Sequence, residues 1–167
     1  MTVTNYKEYF QQYISQVDSQ EPITALRETQ QELLAQLEKV NEEKGMYSYE
    51  DGKWTIKEVI SHIIDAERVF AYRALSFARG DTNNLAGFDD HLYADNSGAN
   101  ERPMEELLAE FDLVRKASVA LCTSFTDEMW TRTGTANNIT IDVKSLVYLI
   151  AGHCRHHGNI LRERYLV

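Results

Sequence analysis

Val143-Lys144-Ser145-Leu146-Val147-Tyr148-Leu149-Ile150-Ala151-Gly152-His153-Cys154-Arg155-His156-His157-Gly158-Asn159-Ile160-Leu161-Arg162-Glu163-Arg164-Tyr165 has the length and periodicity of one long helix. Val143, Leu146, Leu149, Ile150, His153, His157, Ile160 and Leu161 fall on or beside one face of it. Two histidines therefore continue an apolar stripe, one turn apart and pointing the same way. Imidazoles at that spacing on a helix can share one metal ion. His156 is three residues from His153 but points about 100° away from His157, which makes it the poorer ligand. Two nitrogens leave an ion under-coordinated, so a metal at this face requires a ligand from another part of the chain.

Working outward, the neighbouring segment 103–125 carries Leu107, Phe111, Val114, Ser118, Leu121 and Phe125 at alternating spacings of four and three. That is the seam of a helix in a bundle, with Pro103 suited to its first turn. Residues 126–130 read as a short turn and 131–141 as a loop, with Asp142 or Thr140 capping the last helix. Upstream, Trp54-Thr55-Ile56-Lys57-Glu58 reads as a helix start, because Thr55 and Glu58 have the spacing of a capping box. That helix runs to about Arg79, with Val59, Ile63, Ala66, Phe70, Ala74 and Phe77 as its core stripe. His62 lies within about 60° of Val59 and Ala66 and so faces inward. Residues 81–102 are polar and irregular, a connection long enough to line or cover a site. Two further helices are predicted at 22–44, ended by Gly45, and at 4–17, where Tyr6, Phe10, Tyr13 and Val17 share one face. No segment reads persuasively as a strand, and no internal repeat is visible. The pattern is all-α: a four-helix bundle with a short extra N-terminal helix, in one domain spanning residues 1–167.

His62 is the natural third ligand. It sits near the start of its helix, and His153 and His157 sit in the second half of theirs, so antiparallel packing brings the three to one level. Three imidazoles would leave coordination positions open, as a catalytic site requires. The all-nitrogen set suits zinc or nickel and also admits iron, manganese or cobalt. An inward histidine is equally a routine hydrogen-bonded core residue, so the residues alone support either a metal site or a set of core histidines. Asp65, one turn after His62, could orient that ring or act as a base; it could equally be a surface carboxylate paired with Arg68 or Lys57. His91 and His156 read as surface or supporting residues, and Cys154 as a small core residue. Arg73 shares the His62 face but lies three turns away, too far for direct catalysis.

Composition narrows the classes. The chain has 167 residues, 43% of them hydrophobic and 26% charged, with a formal net charge of −9 and two cysteines. Acidic balance without a basic stripe makes nucleic acid a poor partner. No apolar run approaches a membrane span, and the stretch Met1–Glu8 has no basic-then-apolar signal pattern, so the expected location is the cytoplasm. No nucleotide loop, nucleophile motif or phosphate cradle narrows the substrate.

Trp54-Thr55-Ile56-Lys57-Glu58-Val59-Ile60-Ser61-His62-Ile63-Ile64-Asp65-Ala66-Glu67-Arg68 resembles the first signature of the DinB-like superfamily, in its YfiT-like metal-dependent hydrolase branch. Ala151-Gly152-His153-Cys154-Arg155-His156-His157-Gly158 resembles the second, and the helix between them, Pro103 to Phe125, also fits. The resemblance covers about residues 20–167. It implies a bundle with an up-down-down-up path and one divalent metal held by His62, His153 and His157. It further implies frequent homodimers and a small-molecule substrate. Some relatives are transferases or isomerases that use a low-molecular-weight thiol, and others have no known activity. The superfamily name derives from DNA-damage induction and does not imply DNA binding. The expectation from sequence is a metal-dependent hydrolase or thiol S-transferase, with a metal- or ligand-binding module without turnover as the alternative.

Overall fold

The computed structural model describes residues 6–167, with side chains from Phe10 onward. Residues 4 and 5 of the expected first helix, the side chain of Tyr6, and the stretch Met1–Asn5 used in reading the N-terminus lie outside the described residues. The elements in order are α1 (Tyr6–Ile14), α2 (Pro22–Leu37), α3 (Glu42–Gly45), α4 (Ile56–Ala78), β1 (Asn84–Leu85), α5 (Asp90–Asp95), α6 (Met104–Thr123), α7 (Asp127–Thr131), β2 (Thr133–Ala136), β3 (Ile139–Asp142) and α8 (Val143–Ile160), followed by a π turn at Leu161–Tyr165.

Helices α2, α4, α6 and α8 form the bundle, and hydrogen bonds between them fix their directions. Tyr148 Oη donates to the Gln20 carbonyl at 2.7 Å and Gln36 Nε2 to the Gly158 carbonyl at 2.9 Å, so α2 and α8 run parallel. Gln30 Nε2 donates to Asp112 Oδ1 at 2.8 Å while Arg115 reaches the earlier Leu26 carbonyl, so α6 opposes α2. Lys57 Nζ donates to the Arg102 carbonyl and Arg115 Nε to Glu67, which makes α4 parallel to α6. His62 meets His157, and Phe70 meets the earlier His153, so α4 opposes α8. The path is up-down-down-up, with α2 and α4 each packed against α6 and α8.

The capping box at α4 is present in full: Glu58 N–H donates to Thr55 Oγ1 at 3.1 Å and Thr55 N–H donates to Glu58 Oε2 at 2.8 Å. Asp142 caps α8 by accepting from Ser145 N–H at 2.8 Å. The predicted helix over 22–44 is shorter. It ends at Leu37, and Asn41 caps the separate turn α3 by accepting from Lys44 N–H at 2.8 Å. The absence of strands is corrected too. Residues 131–141 hold a β2–β3 hairpin closed by Asn137 and Asn138 at φ 51° and 62°, with β1 added in parallel on β2. Both turn residues sit in the left-handed region that this two-residue turn demands and that asparagine tolerates better than most.

The core is two apolar clusters with a polar layer between them. Leu26, Phe70, Ala74, Leu146 and Ile150 belong to one, and Leu33, Ile60, Ile63, Phe111 and Leu161 to the other. Between them, Arg115 is fully buried. Its Nε donates to Glu67 Oε1 at 2.8 Å, its Nη2 to Glu67 Oε2 at 2.9 Å and its Nη1 to Thr29 Oγ1 at 2.8 Å. A bidentate pair with its remaining donors used is the form in which a buried charge is tolerated. Among the described residues no helix is long and apolar enough to cross a membrane.

Candidate metal centre

Three histidines meet where α4 crosses α8. His62 comes from the second turn of α4, and His153 and His157 from successive turns of α8. Antiparallel packing brings their rings to one point, because each histidine replaces an apolar residue on its core stripe. The Nε2 atoms form a nearly equilateral triangle: His62 to His153 3.1 Å, His62 to His157 3.1 Å and His157 to His153 3.2 Å. His62 and His153 are buried and His157 is half-buried. Three rings with interplanar angles of 57°, 74° and 65° cannot each aim an in-plane N–H at a neighbour's lone pair across all three edges. One ion with Zn–N bonds of about 2.0–2.1 Å over that triangle would subtend N–ion–N angles of about 100°. That value lies between octahedral and tetrahedral, so the three nitrogens fit a single divalent ion as they stand.

Electrostatics favour the ligand form of each ring. Burial pulls His62 down to about 4, with the Asp90 charge opposing and His91 and His156 adding to the effect. Burial also holds His153 and His157 well below the usual histidine range, and each is pushed further by its histidine neighbours. All three are neutral at pH 7, and binding an ion need displace no proton from an imidazolium. Aromatic rings fix their orientation. Trp54 lies 4.9 Å from His62, Tyr13 5.5 Å from His153 and Phe70 5.9 Å from His153, centroid to centroid.

His62 and His153 line a cavity of about 370 Å³. Phe10 and Tyr13 of α1, Phe70 of α4, and Leu146 and Leu149 of α8 supply apolar wall. Phe88 and Asp90, from the long 81–102 connection, supply more of the lining, as does the hairpin through Ile139 and Ile141. The size and the apolar lining with few polar groups are those of a small-molecule site. α1 approaches very closely at Gly152, where a Cβ would lie 2.1 Å from the Tyr13 carbonyl oxygen.

Other residues singled out in the sequence fall as follows. Asp65 is half-buried and paired with Arg68 at 3.7 Å, and it is not part of the cavity lining. Burial raises its pKa, Arg68 and Arg102 oppose this, and Glu110 adds to it. His156 stands off the triangle, with Nδ1 3.3 Å from Gln16 Nε2 and its ring against Tyr13. His91 is exposed and lies 5.3 Å from Trp54. Cys154 is buried, and burial raises its thiol. Two cavity groups carry no role in the sequence reading: Asp90, the first residue of the short helix α5 inside the connection read as irregular, and Arg73, whose distance along α4 discounts the reach of its side chain.

A family model described as the DinB superfamily matches residues 25–161. A protein of Geobacillus kaustophilus inferred to be a metal-dependent hydrolase is 28% identical over 142 residues, covering 83% of this chain and 79% of its own. One of Geobacillus thermodenitrificans with the same description is 26% identical over 144 residues, covering 84% and 80%. Among solved structures, YfiT from Bacillus subtilis, inferred to be a metal-dependent hydrolase with an unusual four-helix bundle topology, superposes with TM-score 0.77 at 20% identity, over 85% of this chain and 82% of that one. The mycothiol-dependent maleylpyruvate isomerase superposes with TM-score 0.69 at 13% identity, over 83% of this chain and 58% of that one.

Proposed function

The chain belongs to the DinB superfamily, and on that premise we propose that it is a metal-dependent enzyme acting on a small molecule, with His62, His153 and His157 as ligands of one divalent ion. The observation that carries this is the Nε2 triangle of 3.1, 3.1 and 3.2 Å, two of whose rings, His62 and His153, line a 370 Å³ cavity. Zinc and nickel match an all-imidazole set best. When bound, such an ion supplies Lewis-acid polarisation and a nucleophile generated at neutral pH, from water or from a thiol.

The chain's own residues do the rest. Burial keeps the three rings neutral and ready to ligate. Trp54, Tyr13 and Phe70 hold their planes and exclude water from the apolar side. Asp90 is the carboxylate on the cavity wall, and we assign it the proton-handling role; Asp65, tied to Arg68, lies off that wall. Hydrolysis is the activity supported by the names of the Geobacillus relatives and of YfiT, and thiol transfer by the mycothiol-dependent neighbour.

The experiment is elemental analysis of protein prepared without a histidine tag, followed by assays on activated esters and on electrophiles with and without a small thiol. About one ion per chain and metal-dependent turnover are expected. No bound metal together with no uptake by the chelated protein would overturn the assignment. Metal without turnover on any substrate would leave a binding module.

A further inference from the structure

Three cationic side chains are buried among the described residues: Lys57, Arg73 and Arg115. Lys57 pairs with Glu42 at 2.7 Å and Arg115 with Glu67 at 2.8 Å. Arg73, 8% exposed, has no carboxylate within ion-pair distance among the described residues. Its Nη2 donates to the Ala86 carbonyl at 2.9 Å, and its guanidinium lies 5.8 Å from the Phe70 ring centre and 5.9 Å from that of Phe88. One carbonyl and two ring faces do not neutralise a charge. A guanidinium stays protonated even when desolvated, so it cannot escape the cost of burial by losing its proton. Burial lowers the Arg73 pKa and no anion counters it.

Arg73 lines the same cavity as His62 and His153. The two legs through Phe70, 5.8 Å to the guanidinium and 5.9 Å to the His153 ring, place the cation within about 12 Å of that ring. The wall between them is largely apolar. Asp90, the acidic side chain on the cavity wall, is not within ion-pair distance of Arg73. The cavity thus carries an uncompensated cation, Arg73, and two of the three candidate ligand rings, His62 and His153, on a largely apolar wall.

We propose that Arg73 is the anion-binding subsite of this cavity, and that the substrate is a small molecule with a carboxylate at one end, an apolar and preferably flat body, and its reacting group at the other. The inference rests on reading the cavity as the substrate site. A carboxylate matches the planar fork of the guanidinium, which has four N–H donors beyond the one given to Ala86. The flat body matches Phe70 and Phe88, which flank the cation. In a chain of net charge −9, a local cation is what admits an anion at all. Arg73 is thus a positioning and specificity residue; it does not touch the reacting atoms.

The probes are 4-methylbenzoate and 4-methylbenzamide, equal in shape and differing in charge, which bind without needing a metal. Titration into metal-free protein at pH 7.5, read by calorimetry or by chemical-shift changes around Phe70 and Phe88, is expected to favour the acid over the amide by at least about tenfold, as a charge-assisted bidentate contact does. Arg73→Met should abolish the preference, and Arg73→Lys should retain part of it while changing no metal content. A second pair, 4-(mercaptomethyl)benzoate and its amide, on zinc-loaded protein should show the same preference with tighter binding of both. Equal binding of acid and amide by the parent protein, or a preference that survives Arg73→Met, overturns the proposal. The parent comparison needs no variant to fold. A preference seen in metal-free protein but no tightening of the thiol pair with zinc would leave the anion subsite standing and count against the metal centre instead.

Discussion

Two glycines bracket the histidine motif, Gly152 and Gly158, and the same substitution at each should act in opposite directions. A Cβ on Gly152 would lie 2.1 Å from the Tyr13 carbonyl oxygen and 2.5 Å from its carbon. The obstructing atoms are backbone, so no rotamer change relieves the clash. An ordinary contact starts near 3.4 Å, which means that α1 must move off α8 by about 1.3 Å or leave. Tyr13 is 8% exposed and Phe10 packs against the same cluster, and burial of one aromatic side chain contributes about 1.5–3 kcal/mol. Losing the α1 dock should cost on the order of 2–4 kcal/mol, in addition to the contacts of Gln16 with His156 and Arg155. A Cβ on Gly158 would meet only the Gln36 Oε1 at 3.7 Å and a Leu33 methyl at 3.8 Å. There Gly→Ala removes unfolded-state freedom inside a helix and should stabilise by about 0.4–1 kcal/mol. The assay is urea denaturation together with amide exchange in residues 6–17 and the rate at which a chelator extracts bound zinc. For Gly152→Ala we expect faster exchange in α1 and faster extraction, because Tyr13 no longer covers His153. Parent-like exchange and extraction in Gly152→Ala, or a Gly158→Ala variant as destabilised as Gly152→Ala, would refute the reasoning.

His157→Ala should lose most metal affinity and keep its helical circular dichroism, whereas His156→Ala, off the triangle, should keep the ion; metal content of the two variants side by side decides, and the reverse pattern would show the ligand set to be wrong. Because the imidazoles are depressed when folded, the unfolded chain binds more protons between about pH 6.5 and 4. Stability of the metal-free protein is therefore fully present well above pH 6.5 and falls as pH drops, by about 1.6 kcal/mol between pH 6.5 and 5 from His62 alone; a urea midpoint that stays flat over that range would contradict the burial argument. Glu67→Gln leaves Arg115 buried without its carboxylate and should cost about 3–5 kcal/mol, read from the urea midpoint, while replacing both partners by apolar residues should cost much less.

The histidine triangle was legible in the sequence because it depends only on helical phase. His62, His153 and His157 each occupy a core-stripe position, and the 3.6-residue period together with antiparallel packing suffices to bring them together. The α6 seam was legible for the same reason, although its buried positions are Met104, Leu107, Phe111, Arg115, Ser118, Cys122 and Phe125. Arg115 and Cys122 take the buried places that the sequence reading gave to Val114 and Leu121, and nothing local announces that Glu67 on another helix neutralises Arg115. The hairpin was missed because its strands have four residues each, too few for alternation to stand out, and because Asn137-Asn138 is a weaker turn signal than a glycine pair. The break after Leu37 was missed because residues 38–44 favour helix composition, and only the Asn41 cap marks a restart.

What escaped the sequence at the site has a common physical cause. The cavity is built from side chains whose distance along the chain misrepresents their distance in space. Arg73 lies eleven residues from His62, about 16 Å along an ideal helix. An arginine side chain leans back toward the helix N-terminus and closes part of that gap. Phe70, one turn earlier, then serves both ends, touching His153 at 5.9 Å and the guanidinium at 5.8 Å. Helical phase predicts which residues share a face; it does not predict how far a long side chain travels along that face, nor that a loop 81–102 will return Phe88 over it. The histidines, short and rigid, stay where their backbone puts them, and so the sequence could locate the three candidate ligands while leaving the cation of Arg73 to be found in three dimensions.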